Sequence, residues 1–188
     1  MELSNLNIRN GLCISLGSNI DSKFGTPINS LIESKFRIEK IISNLITLNH
    51  PNNQEKDRFK AIFNWSSLYK TKPLGVVEKQ PDYINCLLLV QEELLPLSSI
   101  EKARFLLKEF QNLEKEFGRN KLSNDQRWLP RPLDIDILWW DDLFVNDEDF
   151  KIPHPRFQNR NFVISPLAEV LSITQKIEKL NVKNWVLN

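Results

Sequence analysis

Residues 127–140 read RWLPRPLDIDILWW, and the centre of that stretch, Leu133-Asp134-Ile135-Asp136-Ile137-Leu138, decides the fold. Its branched apolar residues mark a buried strand, yet two aspartates are set into it. Asp is a poor strand former, because its short carboxylate competes for backbone donors and favours water. Side chains alternate across a strand, so Asp134 and Asp136 share one face, with Cα atoms roughly 6.6 Å apart at about 3.3 Å of rise per residue. Carboxylates that close repel unless positive charge stands between them. A hard cation with oxygen ligands, Mg²⁺ or Mn²⁺, meets that need. Pro130 and Pro132 stiffen the approach to the strand, and Arg127 and Arg131 bring guanidinium groups to the same edge. Carboxylates for metal beside arginines for phosphate are the equipment of phosphoryl transfer. A lone D-x-D also fits an edge strand whose aspartates are solvated and paired to those arginines.

Immediately upstream the spacing becomes helical. Pro96 and Ser98 open a helix with a capping box of Ser98 and Glu101. Ile100, Ala103, Leu106, Leu107, Phe110, Leu113 and Phe117 form its buried stripe, and Gly118 ends it. Gln111 and Glu114 stand one turn apart and look to one side. Residues 119–125 form a polar loop. Further back, residues 83–91, YINCLLLVQ, read as a central strand in which Asn85 is an odd polar residue; a satisfied amide and a ligand contact both account for it. The TKPLGVVEKQP segment at 71–81 is a loop of functional length. Strand character returns at 59–70, behind an exposed loop at 49–58 that carries His50 without partners. Residues 28–48 form an amphipathic helix on Ile28, Leu31, Ile32, Phe36, Ile38, Ile41, Ile42, Leu45 and Ile46. Residues 11–16, GLCISL, predict a buried first strand running into a turn at Gly17-Ser18-Asn19.

Downstream of the aspartates, Asp141-Asp142 turns the chain into a small strand at Leu143-Phe144-Val145. Ile152-Pro153-His154-Pro155 is a rigid extended link, residues 156–171 form a third helix interrupted by Pro166, and the tail holds a short strand and a last turn. The order is strand, helix, strand, strand, helix, strand, with an additional C-terminal part. That predicts an α+β fold: a ferredoxin-like βαββαβ core with a C-terminal helical extension. Residues 1–10 are expected to be a polar leader and 11–188 a single catalytic domain.

The net charge of +1 provides no general basic field, so phosphates must be met by local clusters. The two cysteines, Cys13 and Cys86, sit in apolar runs and read as buried thiols of a reducing compartment. No run approaches the roughly 20 apolar residues of a membrane span, and the N-terminus has no hydrophobic signal core. The expectation is a cytoplasmic monomer that binds neither membrane nor nucleic acid.

Six blocks carry a resemblance: ISLGSN at 14–19, SLYKTKPLG at 67–75, QPDYIN at 80–85, RPLDIDI at 131–137, IPH at 152–154 and NRNF at 159–162. In this order, around a strand-borne D-x-D, they resemble the 6-hydroxymethyl-7,8-dihydropterin pyrophosphokinase family of folate synthesis. The resemblance implies a ferredoxin-like fold and two Mg²⁺ ions. It also implies transfer of the β,γ-pyrophosphoryl group of ATP to the hydroxymethyl oxygen of the pterin, leaving AMP. By the same resemblance Asp134 and Asp136 are the metal-binding pair, and Arg119 and Arg131 lie near the phosphates. His154 and Arg160 match triphosphate contacts, Gln111 and Glu114 face the nucleotide side, and Ile137 gives a backbone contact to adenine. Tyr83 and Phe162 match the stacking positions for the pterin, Asn85 its polar edge, and Thr71 and Leu74 loop positions beside the ring. Trp128 matches a lid tryptophan, and Lys121 and Arg127 supply the lid's positive charge. The chain departs from the family pattern at Leu129 (normally Gly or Ala), Pro155 (often aromatic) and Lys72 (commonly Pro), and its loops at 49–58 and 119–128 are longer.

Other classes fit less well. An RNA-binding module on this strand order needs a basic surface and an aromatic signature that the chain lacks. A nucleotide-sugar transferase using D-x-D needs a larger α/β sheet. A non-catalytic relative that binds pterin or ATP would retain the same blocks.

Overall fold

Strand β1 (Leu12–Ser18) is buried along its whole length, which is why its sequence is nearly continuous in apolar residues. On one side it pairs antiparallel with β4 (Tyr83–Val90), on the other with β5 (Asp134–Trp140). The short strands β2 (Phe63–Trp65) and β3 (Tyr69–Thr71) both pair antiparallel with the far edge of β4. The sheet order is β2-β4-β1-β5, with β3 continuing beyond β2 along β4. Three helices pack on it: α1 (Pro27–Asn49), α2 (Ile100–Glu116) and α3 (Asn161–Lys176). The computed structural model describes residues 11–49, 63–73, 80–91, 95–119 and 129–176. The polar leader, His50, Lys121 and the C-terminal tail therefore lie outside the described residues.

The two faces of the sheet are treated differently. Leu12, Ile14 and Leu16 of β1, Cys86, Leu88 and Val90 of β4, and Ile135 and Ile137 of β5 form the main core. Against them lie Leu31, Ile38, Ile42 and Ile46 of α1 and Ala103, Leu106, Phe110 and Leu113 of α2. The opposite alternation carries Cys13, Leu87, Leu89, Leu138 and Trp139, covered by Val163, Leu167 and Val170 of α3 with Phe157. A register shift of β5 at Cys13/Ile14 adds one residue, so Leu138 and Trp139 both turn to the α3 side. The same alternation continues through Ser15 and Gly17, Asn85 and Tyr83, and Asp136 and Asp134. There the cover of α3 stops, and that half of the face forms the wall of a cavity.

Several expectations are corrected. Gly17 and Ser18 extend β1 rather than turning it: Gly17 pairs with both Asn85 and Asp134, and the Ser18 hydroxyl donates to the Pro132 carbonyl at 2.8 Å. The strand expected at 59–70 is, among its described residues, two pieces broken at Ser66. Ser66 donates its N–H to the Leu87 carbonyl and accepts the Leu87 N–H on its hydroxyl, both at 2.9 Å. Ser99, not Ser98, caps α2, its side chain accepting from Lys102 N–H. Phe36 is 62% exposed; it stands about 200° around the helix from buried Ser34 and so off the stripe. The small strand after Asp142 is β6 (Val145–Asn146), and its partner β7 (Lys151–Ile152) comes from the segment read as a plain link. A 3₁₀ turn, Phe157–Asn159, precedes α3, which contains Pro166 and continues to Lys176. Gly118 follows the last turn of α2 with φ of 101°, the left-handed value for which glycine is suited.

The Phe110 side chain, 1% exposed, fills the space between α2 and the sheet. Phe110→Ala is expected to lower unfolding free energy by about 3–5 kcal/mol, read as an earlier midpoint in urea. A midpoint shift equivalent to less than about 1 kcal/mol would place the core elsewhere.

Candidate active site

The cavity over the open half of the sheet has a volume of about 550 Å³. Its floor is β1, at Ser15 and Gly17, with β5 on one side and β4 on the other. Gly17 is required here by closeness: a Cβ would stand 2.9 Å from the Asn85 Oδ1. The bare backbone leaves the buried Asn85 amide room, and its Nδ2 donates to the Thr71 Oγ1 at 2.8 Å. Tyr83 lies beside it on β4, and Phe162 at the start of α3 lines the same cavity. That side offers aromatic faces and one oriented amide, the equipment for a flat polar heterocycle.

Across β1 the chemistry changes to charge. Asp134 Oδ1 accepts from Arg119 Nη1 and from Arg131 Nη1, each at 2.7 Å. Arg119 also pairs with Glu114, a buried α2 carboxylate whose Oε1 accepts the Ile135 N–H at 2.8 Å. Glu114 therefore braces both the arginine and the strand that carries the aspartates. Burial, and then the charge of Asp134, push its carboxyl up to about 7, against the pull of Arg119. Arg160 Nη1 stands 3.9 Å from the Asp136 Oδ2. Burial and then Asp134 push the Asp136 carboxyl up to about 6. Burial raises a carboxyl because its charged form loses water, and a neighbouring carboxylate adds to the rise.

Asp134 and Asp136 fit a divalent cation of the Mg²⁺ type, because they offer carboxylate oxygens from one face of one strand. Among the described residues no group of three His, Cys, Asp or Glu side chains assembles as a metal cage. Mg²⁺ is usually held by one or two carboxylates, its other positions going to water and to phosphate oxygens of a substrate.

Arg131 is aimed by Asn19, a side chain 2% exposed at the end of β1. Asn19 Oδ1 accepts the Arg131 N–H at 2.7 Å, its own N–H donates to the Arg131 carbonyl at 3.0 Å, and its Nδ2 donates to the Pro81 carbonyl at 3.3 Å. One amide thus joins the arginine loop to the loop before Tyr83. On the far rim, the His154 N–H donates to the Leu138 carbonyl at 2.8 Å, which fixes the loop after β7 onto β5. His154 Nδ1 accepts the Arg156 N–H at 3.2 Å, so a neutral ring carries its proton on Nε2.

Nine of the expected residues line this one cavity: Asp134, Asp136 and Arg131; His154 and Arg160; and Thr71, Tyr83, Asn85 and Phe162. Arg119 and Glu114 join through ion pairs. Gln111 is half-buried on α2 and is not among the lining residues, and the Ile137 side chain lies in the main core. Leu74, Arg127 and Trp128 lie outside the described residues. Sequence reasoning missed Gly17 and Asn19 as site residues. The available signal was a glycine and a carboxamide directly after a fully apolar strand, which reads equally as a turn.

Residues 13–172 match the family described as 7,8-dihydro-6-hydroxymethylpterin-pyrophosphokinase. The chain is similar to the 2-amino-4-hydroxy-6-hydroxymethyldihydropteridine pyrophosphokinase of Haemophilus influenzae, with 44% identity over 107 residues, 57% of this chain and 60% of that protein. The protein of the same name in Bacillus subtilis is 37% identical over 114 residues, 61% of this chain and 60% of that one. The folic acid synthesis protein fol1 of Pneumocystis carinii is 32% identical over 179 residues, 89% of this chain but 20% of that protein. The matched region thus spans about 60% of the length of the two bacterial relatives.

Burial, and then the charges of Arg160 and Arg156, hold the His154 imidazole down at about 4. The ring is therefore expected to be neutral at pH 7 and to charge only well below the ordinary value of about 6.5. Because the folded value is lowered, the unfolded chain takes the proton first, and His154 subtracts from stability as pH falls from about 6.5 toward 4. An NMR titration of the ring, assigned by comparison with His154→Gln, checks this. A midpoint near 6.5 would contradict the burial and charge described here.

Proposed function

The chain belongs to the 7,8-dihydro-6-hydroxymethylpterin-pyrophosphokinase family, and we propose that it transfers pyrophosphate from ATP to 6-hydroxymethyl-7,8-dihydropterin. In this reaction the hydroxymethyl oxygen forms a bond to the β-phosphorus as the α–β bridging bond breaks. The products are AMP and the pterin diphosphate. The observation that carries the reading is the division of one cavity by β1: the Asn85 amide with Tyr83 and Phe162 on one side, Asp134 and Asp136 on the other. A heterocycle on the first side presents a short substituent toward phosphate held on the second.

The residues divide the work by chemistry. Tyr83 and Phe162 stack on the pterin, and Asn85 reads its polar edge, held in orientation by the Thr71 hydroxyl. Asp134 and Asp136 would hold the two Mg²⁺ ions, which would supply charge neutralisation for the phosphates. Arg131, Arg160 and Arg119 add fixed positive charge, and neutral His154 donates its Nε2 proton to a phosphate oxygen. Gln111, Glu114 and Ile137 stand on the nucleotide side, Glu114 by bracing Arg119 rather than touching ligand. Leu74 and Trp128 are assigned to the pterin and Arg127 to the nucleotide.

The sheet order β2-β4-β1-β5, with crossings through α1 and α2, supports a ferredoxin-like arrangement with α3 as its extension. We further assign residues 11–188 to one catalytic domain acting as a monomer. No described helix is long and apolar enough to cross a membrane. The buried free thiols Cys13 and Cys86 support a reducing, cytoplasmic setting. The near-neutral charge favours small-molecule substrates over nucleic acid.

Asp134→Ala and Asp136→Ala are each expected to lower turnover by at least ~10²-fold, as removal of a transition-state charge stabiliser does. The assay is AMP formation with both substrates and Mg²⁺ saturating. Near-normal turnover in both variants would sink the metal assignment.

A further inference from the structure

Glu169 on α3 takes three donors at a point the proposed chemistry does not use. Its Oε2 accepts the Ser67 backbone N–H at 2.8 Å and the Tyr69 hydroxyl at 3.0 Å, and its Oε1 accepts the Ser67 hydroxyl at 2.7 Å. Ser67 lies in the break where β2 has ended and β3 has not begun, and Tyr69 is the first residue of β3. A strand of three residues is weakly specified in position by its ladder alone, and among the described strands β3 pairs with β4. The carboxylate fastens the entrance of that strand to a helix with charge-assisted hydrogen bonds, which are directional where apolar contacts are not.

What β3 delivers is the reading edge of the cavity. Tyr69 pairs with Asn85 and Thr71 pairs with Tyr83. The Thr71 hydroxyl at the strand's end accepts from the Asn85 amide and thereby sets which amide atoms face the ligand. A shift at the start of β3 is transmitted over two residues to that hydroxyl.

We propose that Glu169 is a positioning residue for pterin recognition, fixing β3 and through it the Thr71–Asn85 pair. This rests on the proposed reaction, and it requires Glu169 to affect the pterin and not the nucleotide. The experiment is steady-state kinetics of the full chain with each substrate varied in turn. Glu169→Gln keeps the size of the side chain but replaces a carboxylate oxygen by a donor that faces donors. It is expected to raise KM for the pterin about ten-fold, the scale of one hydrogen bond to a charged group. KM for ATP should stay within about two-fold. Tyr69→Phe, which removes one of the three bonds and keeps the ring, is expected to move the pterin KM about three-fold in the same direction; it carries the test if Glu169→Gln does not fold.

Val170→Ala, in the fully buried neighbour, supplies the control: a lower melting temperature with the ratio of the two KM values unchanged. In Thr71→Ala, the further effect of Glu169→Gln should largely vanish, because both act on one hydroxyl. An unchanged pterin KM in Glu169→Gln, an equal shift of both KM values, or full additivity with Thr71→Ala would overturn the inference. A wild-type chain that does not consume the pterin would instead contradict the proposed reaction itself.

Discussion

Two carboxylates on one face of a single strand are the constraint around which this protein is arranged. Asp134 and Asp136 cannot be packed against a helix, because their charge would be buried without water. They cannot be left bare side by side either. The chain meets both demands by covering only half of that sheet face. Val163, Leu167 and Val170 of α3 seal Cys13, Leu87, Leu89, Leu138 and Trp139. The next positions along the same strands are left to a cavity with arginines at its edge. Arg119 and Arg131 converge on Asp134, and Glu114 holds Arg119 from behind. Two ion pairs tie the Asp134 side of the cluster, whereas Arg160 stands 3.9 Å from Asp136, which leaves that carboxylate more open to an added cation.

The second half of the cavity depends on the absence of a side chain. Gly17 stands in register with Asp134 on one neighbour and Asn85 on the other. It separates the charged half from the half lined by Asn85 and the aromatic rings by one bare strand width, roughly 5 Å on either side. Asn19, two residues on, joins the backbone of Arg131 to that of Pro81. The two halves are thus referenced to the same strand end.

The elements with a long apolar period were legible in sequence. Helices α1 and α2 and strands β4 and β5 each extend over two or more periods of their pattern, so burial of one face left a readable trace. The shorter pieces were not. The break between β2 and β3 turns on Ser66, whose hydroxyl substitutes for a ladder partner, and nothing in its neighbours' polarity marks that exchange. Ser98 and Ser99 are chemically equivalent caps, and only the entry angle of the chain chooses between them. Within the site, the D-x-D was legible because charge interrupts a buried strand. Arg119, Glu114, His154 and Phe162 were assigned by family resemblance. Arg119 meets Asp134 from 15 positions away, Glu114 meets Ile135 from 21, and His154 and Phe162 reach the cavity from other elements, where spacing carries no signal. Asn19 and Glu169 escaped for the same reason: each acts by joining segments far apart in the chain.

The reading of the cavity is tested most directly by the identity of its products. Purified chain is incubated with ATP, Mg²⁺ and 6-hydroxymethyl-7,8-dihydropterin, and the nucleotides and pterins are resolved by chromatography. AMP rising in step with the pterin diphosphate is the predicted result. ADP with a pterin monophosphate would mean attack at the γ-phosphorus, and would contradict the geometry assigned to Asp134 and Asp136.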